Sequence, residues 1–442
     1  MAKVPHLVCA REVRNMNRRD LARELVTLSI ARGGAALGTS PDGVLRWENG
    51  RRPDRLAQTV MAELFGIDPA LIDVHPWPQW LTFDPLQQNP DHPWTCLGAR
   101  EAIIETVGSD MHRRTFVYSS AALVSTLFGW VTADPAVAEQ LSGRRLGEGA
   151  ISLIERQVRE LRRADDVDGG GTLITRADAT LTMVADLLSN RSYTLAHGQR
   201  LYAAAADLAR MRAWGVFDVH DRCDDRTFRT ALQAAHAADD RLLGAHILTF
   251  WAAAAYNCDR PAEAESLACT ALAEVRGKAA ARVEALVYAR RARARSHIGD
   301  DGCWEDLDRA EQLLHIANRN AGDEPEWAYW FDESEFQGSR ASTELAMGHA
   351  EEAENTFAAA ARMFNGNAVR THALYLVRQA DAQRRQGHLE QACDTAHAAL
   401  DLTMEISSQR TIGPLRELAA AMRAHQELPA VHDLRERIAF AG

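Results

Sequence analysis

Gln386-Gly387-His388-Leu389-Glu390-Gln391-Ala392-Cys393-Asp394-Thr395-Ala396-His397-Ala398-Ala399 decides the fold, because its pattern returns elsewhere in the chain. Taking Gly387 as a turn, alanine stands seven residues before it (Ala380) and five, nine and twelve after it (Ala392, Ala396, Ala399). Gly348 carries the same frame with Ala341, Ala353, Phe357 and Ala360, and Asp259 with Ala252, Ala264, Ala268 and Ala271. Small residues at helical spacing on both sides of a turn let two antiparallel helices approach closely. Gly299 with Ala292 opens a fourth frame, but Trp304, Asp308 and Glu311 spoil its second half. From about Leu146 onward, helical patterns alternate with short breaks and no strand-like alternation occurs, so an all-α chain is expected.

These offsets match the small-residue positions of the tetratricopeptide pattern. The turns recur about every 40 residues against about 34 in the standard repeat, which predicts longer helices. The expected fold is all-α: a small N-terminal helical domain and a C-terminal tetratricopeptide-type array, a right-handed solenoid. The expected segments are 1–73 for the first domain, 74–135 for a Pro/Trp-rich linker and connecting helix, and 136–442 for the array.

Working toward the N-terminus, Val74-His75-Pro76-Trp77-Pro78-Gln79-Trp80 and Pro93-Trp94 carry too much proline for regular structure. Ahead of them, Leu7 to Met16 and Arg18 to Ala31 read as amphipathic helices, with Gly33-Gly34 as a break. Thr39-Ser40-Pro41 supplies a hydroxyl N-cap and proline at the first helical position. The helix it starts runs to Asn49-Gly50, and a fourth runs from Leu56 to Phe65. Leu21, Leu25, Val44 and Leu45 or Trp47 are expected to fill the small core.

Charge separates the two parts. Up to Gly66 there are eleven basic and seven acidic residues, about +4, which leaves about −15 for the rest of a chain of net charge −11. A basic head on an acidic body suits local duplex contact and argues against coating nucleic acid along the whole length. Only Lys3 and Lys278 are lysines, a skew better attributed to genome composition than to phosphate binding. The seven scattered cysteines form no C-x-x-C pair and read as reduced cytoplasmic thiols. No signal peptide is expected. The apolar stretch from Val117 to Val131 behind Arg113-Arg114 is short for a span and reads as a buried linker helix.

The stretch from Arg18 to Pro53 resembles the phage-repressor-like helix-turn-helix family, through Leu21-Ala22-Arg23-Glu24-Leu25 and Ser40-x-x-x-Val44-x-Arg46-Trp47-Glu48-x-Gly50-x-x-Pro53. The resemblance implies that Thr39, Ser40, Asp42 and Gly43 enter the major groove, with Arg46 facing outward to a guanine edge or a phosphate. Arg51 and Arg52, with Arg18 and Arg19, are the expected phosphate clamps, and Asn49 serves contact or turn. Two departures stand out: the connection from Leu28 to Thr39 is long, and Asp42 is acidic. One head buries little surface, so a homodimer on a palindromic operator is expected.

The order of head, linker, Met111-His112-Arg113-Arg114-Thr115-Phe116 and array is similar to an actinobacterial regulator family with a repressor-like head on tetratricopeptide repeats. Ala213-Trp214-Gly215, Ala235-His236-Ala237-Ala238-Asp239-Asp240 and Pro325-Glu326-Trp327 add to the likeness, with the family's Gly-Trp order reversed. It implies a cytoplasmic transcription regulator of specialised-metabolite or developmental genes, its array sensing a small molecule or peptide and dimerising. For a concave face, the candidate ligand contacts are His246, Trp251, Asn257, Arg290, Arg293, Trp327 and Trp330, with Phe250, Tyr256, Tyr288, Tyr329 and Phe331 beside them.

No phosphate loop, metal pattern or nucleophile motif occurs; Gly169-Gly170-Gly171-Thr172-Leu173 lacks the lysine of a phosphate loop and reads as an exposed connection. No cofactor, metal, membrane partner or enzyme activity is expected. The rival expectation is a repeat-based adaptor that does not bind DNA sequence-specifically.

Overall fold

The structure, a computed structural model, describes residues 16–32, 37–65, 94–108, 146–168, 170–319, 324–363, 369–406 and 409–440. It also describes the isolated residues Leu7, Arg11, Ile67, Pro69, Ile72, Trp77, Pro78, Trp80, Leu81, His92, Leu123, Thr126 and Trp130. The expected helix from Leu7 to Met16, the Gly33-Gly34 break, most of the Pro/Trp linker and most of the 113–131 segment lie outside the described residues. Among the described residues the chain is all-α, with no strand. No described helix is long and apolar enough to cross a membrane.

Two compact units divide the chain. Unit 1 comprises Met1–Trp94 and Arg114–Asp134, and unit 2 comprises Thr95–Arg113 and Pro135–Gly442. In unit 1, α1 (Arg18–Ala31) packs on both α2 (Pro41–Glu48) and α3 (Arg55–Phe65). Asn17 starts α1 with a capping box: its side chain accepts from Arg19 N and Asp20 N, and Asp20 Oδ2 accepts from Asn17 N. Ser40 starts α2 by accepting from Gly43 N at 3.2 Å, with Pro41 next, as the hydroxyl-proline pair predicts. Leu21, Leu25, Val44, Val60 and Met61 are fully buried between the three helices. Leu45 does not join them; it is 38% exposed.

Unit 2 begins with α4 (Cys96–Gly108), α5 (Glu148–Asp168) and α6 (Gly170–Asn190). α5 runs to Asp168 and Gly170 and Gly171 already belong to the first turn of α6, so this stretch is helical, with Gly171 and Thr172 exposed as expected. There follow α7 (Leu195–His220), α8 (Asp225–Ala237), α9 (Arg241–Asn257), α10 (Pro261–Val275), α11 (Ala281–Ser296) and α12 (Gly302–Arg319). The last six are α13 (Glu333–Ala346), α14 (Ala350–Met363), α15 (Val369–Arg385), α16 (Leu389–Ile406), α17 (Gln409–Ala421) and α18 (Pro429–Phe440).

Consecutive helices pack in pairs, and the odd-numbered ones from α7 to α17 also touch one another. They form an inner layer, and the even-numbered helices α8 to α16 back it. Asp259, Gly348 and Gly387 take left-handed backbone at their turns, and every residue of the three small-residue frames is buried. The Gly299 frame also closes on a left-handed turn, shifted by one residue: Cys303, Leu307 and Ala310 are buried where Trp304, Asp308 and Glu311 were the aligned positions. Asp221 and Asp239 make two further left-handed turns. Aspartate tolerates this conformation better than most side chains, which is why no glycine marks these turns in the sequence.

The inner layer closes on itself. Besides its neighbours, α7 touches α17, and α5 touches α15. Arg370 Nη1 on α15 donates to Asp218 Oδ2 on α7 at 3.0 Å, across 152 residues of sequence, and Asp218 is fully buried.

Candidate functional sites

In unit 1 the buried residues of α2 leave one outward face. Gly43, Val44 and Glu48 are buried, whereas Pro41, Asp42, Leu45, Arg46 and Asn49 are exposed. Arg51 and Arg52 are exposed in the loop beyond, while Pro53 is buried and its carbonyl accepts from Gln58 Nε2 at 2.9 Å. Gln58 is itself fixed by Trp80 Nε1, 3.0 Å from its Oε1, so the arginine loop is anchored from below.

The first turns of α1 and α2 meet at a surface groove of about 500 Å³ lined by Asn17, Arg18, Arg19, Pro41, Asp42 and Leu45. Helix N-termini carry partial positive charge, so the two first turns and the nearby guanidinium groups act in the same sense toward an anion. Arg46 is exposed, its Nε 3.3 Å from the Asp42 carbonyl oxygen. Thr39 is half-buried and Ser40 spends its hydroxyl oxygen on the cap.

Arg18 differs from the other expected clamps. Its Nε donates to Glu48 Oε2 at 2.6 Å, and Arg11 Nε donates to Glu48 Oε1 at 3.0 Å. Glu48 is buried beneath both, so Arg18 is half committed to holding α1 against α2. Leu45 lies on the same exposed face of α2 as Asp42, Arg46 and Asn49. Of the two alternatives for the core, Trp47 packs against it, while Leu45, about 100° around the helix from buried Val44, turns outward.

In unit 2 the structure separates the expected ligand contacts into three places. His246 is 2% exposed; its ring stacks on Phe250 at 5.0 Å and meets the edge of Trp327 at 4.0 Å, with Trp330 at 6.4 Å. Neither of its ring nitrogens has a hydrogen-bond partner among the described residues. Nearby Asp207 is buried and accepts from Arg210 Nε at 2.7 Å and from Arg162 Nε. Burial works to raise its carboxyl, but Arg210 and Arg162 outweigh that and hold it well below the usual range. Burial, and then the charge of Arg210, hold His246 neutral.

Trp251 faces elsewhere, stacked on Phe228 at 5.7 Å with its Nε1 2.6 Å from Asp225 Oδ1. Arg260 Nη1 grips the same carboxylate at 2.8 and 3.1 Å, so Trp251 belongs to the packing of α8 on α9. Arg290 touches both remaining places: its guanidinium lies 5.5 Å from the Trp330 ring and its Nη1 donates to Tyr256 Oη at 3.3 Å. Asn257 and Arg293 line a cavity of about 430 Å³ at the C-terminal ends of the inner helices. Arg378, Ser342 and His297 line it too, and sequence reading did not single them out. The available signal was an arginine on the apolar stripe of α15, beside Leu374 and Val377.

Among the described residues no group of histidine, cysteine, aspartate and glutamate can hold a metal ion. No protein-family model and no curated protein matches this chain.

Proposed function

We propose that this chain is a DNA-binding transcription regulator of the helix-turn-helix, tetratricopeptide type, with unit 1 as the reading head and the helix pairs of unit 2 as sensor and dimerisation platform. The observation that carries the reading is the outward face of α2. It presents Asp42, Leu45, Arg46 and Asn49 together, flanked by exposed Arg19, Arg51 and Arg52. An eight-residue helix with a polar face, arginines on either side and two first turns beside it has the chemistry that base edges and phosphates require.

Within this reading Arg46 forks onto a guanine, Asp42 accepts from a cytosine amine and Leu45 packs on a thymine methyl. Arg19, Arg51 and Arg52 sit on phosphates. The protein acts as a homodimer on a palindromic operator, controlling specialised-metabolite or developmental genes, as the resemblance implies. The test is selection of binding sites from a random duplex pool by the full chain, paired with footprinting across its host genome. A shared palindromic motif in both sets is the expected result. A pool that stays unenriched while the protein is folded would overturn the reading in favour of an adaptor.

A further inference from the structure

The cavity at the ends of the inner helices deepens the sensing half of that reading. Its apolar wall is Phe217, Leu345, Leu374, Val377 and Leu418, contributed by α7, α13, α15 and α17. Its floor is polar and cationic. Arg293, 4% exposed, donates to Ser342 O at 2.7 Å and to Ser296 Oγ at 3.2 Å, and lies 3.2 Å from His297 Nε2. Arg385 reaches Leu345 O at 3.0 Å, so these two arginines cap the carbonyl end of α13. Arg384 and Arg385 share Asp381, at 2.8 and 2.9 Å.

Arg378 is different. Nη1 donates to Ser342 Oγ at 2.8 Å, and among the described residues this is its one hydrogen bond, with no carboxylate in ion-pair range. The Ser342 hydroxyl spends its own proton on Gly338 O at 2.7 Å. The remaining carboxylates of the lining, Asp221 and Glu417, are exposed.

We propose that this cavity binds an amphiphilic anion, a carboxylate or phosphate head on an apolar body, with its head on the free fork of Arg378. A guanidinium offers parallel donors that match either head group. A cation half-withdrawn from water without a counter-ion is unfavourable until an anion joins it. Withdrawal from water, and then the charge of Arg293, hold Arg378 down to about 10, and the more distant Glu335 offsets only part of this. The volume falls in the range of small-molecule sites, roughly 300–1,000 Å³. A ligand there touches α7, α13, α15 and α17 at once and so bears on the spacing of the inner layer.

The test uses the full chain without DNA, so its outcome is independent of the head. Octanoate, octyl phosphate and octan-1-ol are titrated by calorimetry into the wild type, R378Q and L418W. One octanoate or octyl phosphate per chain is expected, bound at least about tenfold tighter than the alcohol; whichever anion binds tighter assigns the head group. R378Q brings that anion level with the alcohol, while its far-UV circular dichroism and ligand-free melting stay those of the wild type. L418W fills the apolar end without touching an arginine and abolishes binding of all three, which keeps the test valid should R378Q melt early. Equal binding of anion and alcohol by the wild type, undiminished binding by a folded R378Q, or no binding of either anion up to about 5 mM would overturn the proposal.

Discussion

Arg18 Nε lies 2.6 Å from Glu48 Oε2, so the first turn of α1 is clasped to the last turn of α2 by a carboxylate that is itself buried. Arg11 completes the clasp from the other side at 3.0 Å. Removing one partner of a buried ion pair leaves the other charge uncompensated, at a cost of about 3–5 kcal/mol. Arg18 is 46% exposed and Arg11 keeps its bond to Met16 O at 2.7 Å, so the loss falls at the low end of that range. Glu48→Ala is expected to destabilise unit 1 by about 3 kcal/mol. Hydrogen exchange read on peptides from α1 and α2 then speeds up roughly a hundredfold. Unchanged protection would show that the clasp contributes little.

The proposed groove face separates base readers from phosphate contacts by their effects on selected sites. Leu45→Ala is expected to relax a thymine preference at one position per half-site, by about 1 kcal/mol, with little effect on overall salt dependence. Arg51→Ala and Arg52→Ala weaken binding evenly across sequences, each making the salt slope shallower by about one. If Leu45→Ala leaves the selected motif unaltered, the leucine is not a reader.

Gly338 on α13 lies flat beneath the Tyr375 ring of α15, and a β-carbon there would overlap the ring atoms Cδ2, Cε2 and Cζ. Gly338→Ala is expected to cost about 1–3 kcal/mol in thermal unfolding, the usual penalty for overpacking. Tyr375→Phe gives no relief, because the clash is with the ring and not with the hydroxyl that donates to Glu335 Oε2 at 3.1 Å. Gly338→Ala with Tyr375→Ala is less damaging than the two single costs added together.

His246 imposes an acid limit on unit 2. Folded, it stays neutral, its pKa pressed well below 6.5 by burial and then by Arg210. Unfolded, it takes up a proton near pH 6.5, so below that pH the unfolded chain binds more protons and stability falls as pH falls. The slope approaches about 1.4 kcal/mol per pH unit for this one group, and the contribution is complete above about pH 7. His246→Phe keeps the stack on Phe250 and removes the proton. Urea midpoints between about pH 7 and pH 5 are expected to fall less steeply for the variant than for the wild type. Parallel slopes would mean that acid acts elsewhere.

The helical character, the caps and three of the turns were legible in the residues, because capping and close helix approach leave local marks. Ser40-Pro41, Asn49-Gly50 and the alanines around Asp259, Gly348 and Gly387 each correspond to a helix start, a stop or a buried contact. The turns at Asp221 and Asp239 were not legible, since aspartate marks so many other environments. The site was less legible than the fold. Exposure of Leu45 depends on which face of α2 the core of unit 1 covers, and the unpaired state of Arg378 depends on helices α11 and α13, distant in sequence. Trp251 and His246 are five residues apart on one helix, yet point to different neighbours, a distinction that aromatic content alone does not draw.

The buried pair of Arg370 with Asp218 bears on how such a chain can change its length. In an open row of helix pairs each unit meets only its neighbours, so copies can be gained or lost with little consequence for the rest. Here α15 and α17 reach back to α7. Duplicating one pair between them would carry Arg370 away from Asp218 and break their buried ion pair. Deleting the last pairs would strip a wall from α7. The number of pairs is therefore tied to the closure of the inner layer, not set one pair at a time.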